Sequence, residues 1–162
     1  MSAQTIQNYE VKAGLAQVRP FSVAGISVVT DNSRASDDIN ALWERFFKES
    51  IGQKIEARCD DVIYAVYSDY QGDYEAPYRL TIGYRLQDGA NAPQGFDEVQ
   101  IIEQDYAVLS AAGQQPRALI ETWQAVWASD LSRSYKTDFE VYGPRFFEEG
   151  VHEVLVHVGI ED

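Results

Sequence analysis

The order of predicted strands and helices occurs twice along this chain, and this duplication constrains the fold more than any other feature. Residues 18–87 and residues 96–160 each read as strand, helix, strand and strand. The tetrapeptides Tyr64–Tyr67 (YAVY) and Phe139–Tyr142 (FEVY) hold matching places, about 75 residues apart. A period of this length predicts a duplicated supersecondary unit rather than a solenoid. We therefore predict an α+β fold with a mainly antiparallel sheet, two helices and a central ligand groove.

The first half contains clear signals for each of its elements. The β-branched segment Val18–Val29 predicts a strand. A helix follows, because apolar residues recur at helical spacing between the N-cap candidate Ser36 and the stop at Gly52. Two strands complete this half, one over Val62–Tyr70 and one over 78–86, where apolar and polar residues alternate.

The second half begins after a turn-rich linker, Asp88–Gly95. Phe96–Ala111 contains a strand, and Arg117–Ala128 has the apolar spacing of a helix. Strands are predicted over Asp138–Tyr142 and again over 152–160, where every second residue is apolar or His.

We predict that residues 1–162 form one domain, consisting of an N-terminal arm (1–17), a first repeat (18–87) and a second repeat (96–160). The apolar content of 45% and charged content of 24% are typical of globular proteins. Thirteen basic and 26 acidic residues give a formal charge of −13. This charge argues against direct binding of nucleic acid or an anionic membrane, and it favours attraction of cations.

The sequence has the features of a cytoplasmic protein. Residues 1–17 contain no basic stretch followed by an apolar run, so no signal peptide is predicted. No apolar run is long enough to span a bilayer. Cys59 is the only cysteine, which excludes an internal disulfide and suits a reducing compartment.

Glu140 is the residue that the sequence singles out as a ligand-binding candidate. Strand alternation places Asp138, Glu140 and Tyr142 on one face, and we expect the helices to cover the other face. A carboxylate in the groove would require hydrogen bonds or a cation, and Tyr hydroxyls are suitable donors. The alternative is that Glu140 lies on a solvated strand face.

Aromatic residues make up 12% of the chain and are candidates for the walls of a pocket. Trp43 and Trp127 belong to aromatic stripes on the two predicted helices, although such stripes also form ordinary core. His152 and His157 lie on opposite sides of a predicted strand, so they cannot bind one metal together. We find no catalytic triad and no phosphate-binding glycine pattern, and we predict no metal and no cofactor.

Three segments resemble the effector-binding domain of the multidrug-responsive MerR- and AraC-type activators, the gyrase-inhibitor-like family. These are DFEVYGPRFFEEGVHEVLVHVGIE (Asp138–Glu161), the helix with Trp123 and Trp127, and DYAVLSAAG (Asp105–Gly113). The resemblance implies two strand–helix–strand–strand units around a shared groove, with a buried glutamate at Glu140. It also implies aromatic walls at Trp43, Tyr64, Tyr84, Tyr106 and Phe147.

The resemblance implies that the chain binds lipophilic organic cations. Only 17 residues precede the first predicted strand, too few for a helix-turn-helix domain. We therefore expect a free-standing sensor or sequestering protein, of the kind found singly or in mobile gene cassettes. Two other functions stay open: a hydrolase of small electrophiles with Glu140 as general base, and an interaction module of the gyrase-inhibitor type. A homodimer or a separate regulator protein also stays open as a partner.

Overall fold

The computed structural model describes residues 11–73 and 75–161. Two longer helices, α1 and α3, and two single-turn helices, α2 and α4, lie within these residues. The helices are α1 (Ala35–Lys48), α2 (Ile51–Lys54), α3 (Arg117–Ala128) and α4 (Pro144–Phe147). The strands are β1 (Val11–Val18), β2 (Phe21–Thr30), β3 (Arg58–Ser68), β4 (Tyr78–Leu86), β5 (Asp97–Ile101), β6 (Gln104–Ala111), β7 (Asp138–Tyr142) and β8 (Val154–Ile160).

All eight strands belong to one curled antiparallel sheet with the order β1-β6-β8-β7-β3-β4-β2-β5. The two repeats meet at its centre, where β3 of the first repeat pairs with β7 of the second. The YAVY and FEVY segments therefore lie side by side, with Tyr64 opposite Val141 and Tyr67 opposite Asp138. The predicted α+β class and the duplicated unit are confirmed.

The repeat is longer than predicted, because each unit begins with an additional strand that pairs with the other unit. β1 precedes the first unit and pairs with β6, whereas β5 precedes the second unit and pairs with β2. The interpretation of residues 1–17 as an arm is therefore wrong for residues 11–17, which belong to β1, while residues 1–10 lie outside the described residues. β1 was not predicted, because its pairing partner lies far along the chain.

The helices pack on one face of the sheet and bury the larger of two apolar clusters. Leu42 and Phe46 of α1 and Trp123 and Val126 of α3 contribute to this cluster. The opposite face carries a smaller cluster, which includes Phe21, Val66, Tyr106 and Phe139. The centre of the sheet is thus buried on both faces.

No helix among the described residues has the length and apolar character needed to cross a membrane.

Candidate ligand-binding site

A cavity of about 670 Å³ lies between the helices and the sheet. This volume is within the range of small-molecule binding sites. The walls come from α1, α3 and α4, and the floor comes from β3, β4 and β7. The aromatic residues that line it are Trp43, Phe47, Tyr67, Tyr70, Tyr78, Trp123, Trp127, Tyr142, Phe146 and Phe147.

Glu140 is the carboxylate of this cavity, and its side chain accepts three hydrogen bonds. The residue is only 1% exposed. The Tyr142 hydroxyl donates to Oε1 at 2.6 Å, and the Tyr67 hydroxyl and the Trp123 Nε1–H donate to Oε2, each at 2.7 Å. Among the described residues, no Lys, Arg or His forms an ion pair with Glu140. Glu140 is thus a buried acid that is hydrogen-bonded but has no cationic partner in the described part of the chain.

Burial raises the pKa values of Glu140 and of its two tyrosine partners, Tyr67 and Tyr142. Desolvation raises the pKa of the Glu140 carboxyl above its ordinary value, and the three hydrogen bonds offset part of this shift. Burial, together with the negative charge of Glu140, raises the pKa of both Tyr67 and Tyr142 well above the ordinary tyrosine value. Both hydroxyls therefore keep their protons and donate to the carboxylate.

If a cation binds beside Glu140, its affinity should decrease as the pH falls through the raised pKa of the Glu140 carboxyl. Protonation removes the negative charge, and the window of loss begins above the ordinary value of 4.5 because the pKa is raised. The same shift means that Glu140 contributes to stability at low pH, and this contribution is lost as the pH rises through its pKa. Titration of a quaternary ammonium ion, whose own charge is constant, measures the affinity as a function of pH. An equally strong pH dependence in Glu140→Gln would assign the effect to another group.

The prediction that Asp138, Glu140 and Tyr142 share a face is correct, but the expected position of the helices is wrong. Trp123 of α3 contacts Glu140, and the Trp43 ring of α1 lies 5.0 Å from the Tyr142 ring. These side chains therefore lie on the helix-covered face. Strand alternation shows which residues share a face, but both faces are apolar here, so it could not identify the one that the helices cover.

Four of the seven predicted site residues line the cavity together: Trp43, Trp127, Glu140 and Phe147. Trp43 stacks on Phe47 with a centroid distance of 5.8 Å and an interplanar angle of 20°.

The other three predicted wall residues, Tyr64, Tyr84 and Tyr106, lie elsewhere, so these predictions are corrected. Tyr64 and Tyr106 project from the opposite face of the sheet and pack with Phe139. Tyr84 is on the helix-covered face but stacks under α1 against Phe46 at 5.6 Å, outside the cavity lining. Tyr64 does lie on β3, a strand that contributes to the cavity floor, but its side chain projects from the face of the sheet opposite the cavity.

Tyr67, Trp123 and Tyr142 hold Glu140 in place, although the resemblance does not imply them as wall residues. The internal repeat contains a signal for two of them, because Tyr67 and Tyr142 occupy matching final positions in YAVY and FEVY. Ala65 holds the place of Glu140 in the first repeat. It is also the cross-strand neighbour of Glu140 on the same face of the sheet.

A second buried acid, Asp138, lies two residues before Glu140 on β7. Arg133 donates from Nη2 to Asp138 Oδ2 at 2.7 Å, and the Gly159 backbone N–H donates to Oδ1 at 2.7 Å. The Tyr70 hydroxyl also donates to Oδ2. Unlike Glu140, Asp138 has a cationic partner, so its charge is neutralised within the protein.

Several solved structures share this fold, among them the two that follow. The integron cassette protein VCH_CASS2 from the mobile metagenome of Vibrio cholerae is 22% identical, with a TM-score of 0.66, and the match covers 91% of this chain and 94% of that chain. The structure of SAV2435 bound to tetraphenylphosphonium is 16% identical, with a TM-score of 0.73, and the match covers 91% of this chain and 92% of that chain.

Two curated proteins are similar in sequence. The protein YobU of Bacillus subtilis (strain 168) is 26% identical over 145 residues, which cover 85% of this chain and 91% of YobU. The transcriptional regulator BrlR of Pseudomonas aeruginosa is 28% identical over 151 residues, which cover 88% of this chain. The match spans 53% of BrlR, about half of its length.

Residues 15–158 match the family model described as Cass2, integron-associated effector binding protein. This match covers nearly all of both repeats and every residue that donates a hydrogen bond to the Glu140 carboxylate. The chain therefore belongs to the Cass2 family of integron-associated effector binding proteins.

Proposed function

We propose that this protein binds lipophilic organic cations reversibly in the cavity, with Glu140 as the counter-ion, and acts as a cytoplasmic sensor or sequestering protein. The observation that carries the proposal is a buried carboxylate without a cationic partner among the described residues, enclosed by aromatic rings. Such a charge is costly in the empty protein and becomes favourable when a cation binds beside it.

Two kinds of interaction would stabilise the bound cation. A charge pair at about 4 Å, with an effective dielectric constant near 20, contributes on the order of 4 kcal/mol before desolvation costs. Each favourable cation–π contact contributes about 0.5–2 kcal/mol, and Trp offers the best ring for it. Trp43, Trp123 and Trp127 all line the cavity. We expect Glu140 to select for charge and the rings to select for size and shape.

The comparisons support the proposal at the level of chemistry. SAV2435, which has the same fold, was solved with tetraphenylphosphonium, a lipophilic cation. BrlR is a transcriptional regulator, which supports a sensing role for this chain in concert with a separate regulator protein.

We expect a cationic ligand to stabilise the fold more than a neutral ligand of the same shape. At about 100 times its dissociation constant, a ligand adds about 2.7 kcal/mol to the free energy of unfolding, which raises the melting temperature by about 5–10 °C. Thermal denaturation with a quaternary arylalkylammonium ion, its analogue with carbon in place of nitrogen, and an arylalkyl sulfonate tests this. Equal shifts with all three compounds would contradict the role of charge.

Incubation with a small electrophile, such as an activated aryl ester, separates binding from hydrolysis. If Glu140 acted as a general base on water, a susceptible electrophile would be converted during incubation. Chemical recovery of unchanged ligand, together with saturable quenching of Trp emission, is the result expected for a binding protein.

A further inference from the structure

Exposed apolar side chains lie at the mouth of the cavity. Five large apolar side chains are strongly exposed in the described part of the chain, and three of them line this cavity. They are Phe47 of α1 (58% exposed), Ile120 of α3 (49%) and Phe147 of α4 (60%). We call these three residues the apolar rim. Exposed apolar groups that are gathered at one opening mark a binding surface.

Ring contacts connect the apolar rim to the carboxylate without interruption. The Tyr142 hydroxyl donates to Glu140, and the Tyr142 ring lies 5.0 Å from the rings of both Trp43 and Phe146. Trp43 then stacks on Phe47 at 5.8 Å, and Phe146 contacts Phe147 at 5.1 Å. An apolar path therefore leads from the charged floor to the open mouth.

The α3 side of the cavity also carries apolar side chains that connect Glu140 to the apolar rim. Leu119, Ile120, Trp123 and Trp127 recur at helical spacing and all line the cavity. Within this stripe Trp123 contacts Glu140, because its Nε1–H donates to the carboxylate. Ile120, one turn earlier, is half exposed and belongs to the rim. An apolar side chain in this position gains free energy only if something covers it.

We propose that the preferred ligands are cationic amphiphiles, whose head group lies at Glu140 and whose apolar tail extends along the ring contacts to cover Phe47, Ile120 and Phe147. This inference rests on the proposed function for the head group and adds the tail. A compact cation would leave the rim exposed. A cation with an apolar tail covers the rim. Its charged head and apolar tail also match the charged floor of the site and the apolar rim at its mouth.

Affinity for a homologous series of alkyltrimethylammonium ions tests the proposal. Butyl, hexyl, octyl and decyl members carry the same head group, and all are used below their micelle concentrations. We expect each added methylene to strengthen binding about 2–4-fold, the upper value corresponding to complete burial. The rim variants Ile120→Ser and Phe147→Ser should reduce the increment per methylene, most clearly between octyl and decyl. Both side chains are exposed, so these variants should fold normally.

Val29→Ser is the matched control. Val29 is also an exposed apolar residue, at 54%, but it lies outside the cavity lining. The control should keep the increment of the parent protein. If the increment is the same in the rim variants as in the control, or if affinity does not rise with chain length, the tail does not use the rim and the proposal is overturned.

Glu140→Gln separates this inference from the proposed function. It should weaken binding of every member of the series by a similar factor and leave the increment per methylene intact. If no member of the series binds to the parent protein, the proposed function fails. If all members bind the parent equally, only the amphiphile inference fails.

Discussion

Replacing Arg133 with leucine should lower the free energy of unfolding by about 3–5 kcal/mol, because it leaves a buried carboxylate without its cation. Asp138 is fully buried and the Arg133 side chain is only 5% exposed. The Tyr70 and Gly159 donors remain on Asp138, but they carry no charge. Urea denaturation measures the loss.

A double-mutant cycle identifies the source of this effect. Asp138→Asn alone should also be destabilising, because it leaves the Arg133 guanidinium buried and unpaired. Arg133→Leu combined with Asp138→Asn should cost less than the sum of the two single changes, since both charges are removed together. Strict additivity would show that the pair is not coupled.

The exposed pair Arg79–Asp69 provides a control for this cycle. Its atoms are 2.9 Å apart, but both side chains are well exposed to solvent. Arg79→Leu should therefore change the free energy of unfolding by only about 0–1 kcal/mol. If Arg133→Leu also lowered the free energy of unfolding by only about 0–1 kcal/mol, burial would not strengthen the Arg133–Asp138 pair.

Glu140→Gln should weaken cation binding by about 10- to 100-fold, corresponding to about 1.5–3 kcal/mol for a hydrogen-bonded charge. The substitution keeps the size of the side chain and removes its charge. The amide oxygen can occupy the position of Oε2 and accept from Tyr67 and Trp123. The amide nitrogen then faces Tyr142, whose hydroxyl can turn to accept a hydrogen bond from it.

The stability of this variant should stay within about 1 kcal/mol of the parent, because loss of an unpaired buried charge offsets the altered hydrogen bond. Calorimetric titration with a quaternary ammonium ion gives the affinity, and urea denaturation gives the stability. Glu121→Gln is the control, since Glu121 is an exposed acid on α3 outside the cavity lining. Equal cation affinities in the two variants would exclude Glu140 as the counter-ion.

The repeating pattern of the chain is sufficient to predict much of this architecture. Alternation and helical spacing depend on neighbours a few residues away, so β4, α1 and α3 are visible in the sequence. The matching YAVY and FEVY segments predicted the duplication, and a single acid in one of them drew attention to Glu140. Its burial and its position in the cavity then followed from the fold.

Contacts between distant segments decided the rest. β1 exists as a strand because β6 lies beside it, and nothing in its own eight residues demands that partner. Whether Tyr64 or Tyr67 enters the cavity depends on which face the helices cover, and the buried centre of the sheet is apolar on both faces. The sequence thus determined the repeat, its helices and the acid that it carries. Only tertiary packing decided which rings surround that acid, because the choice depends on the side of the sheet on which two distant helices pack.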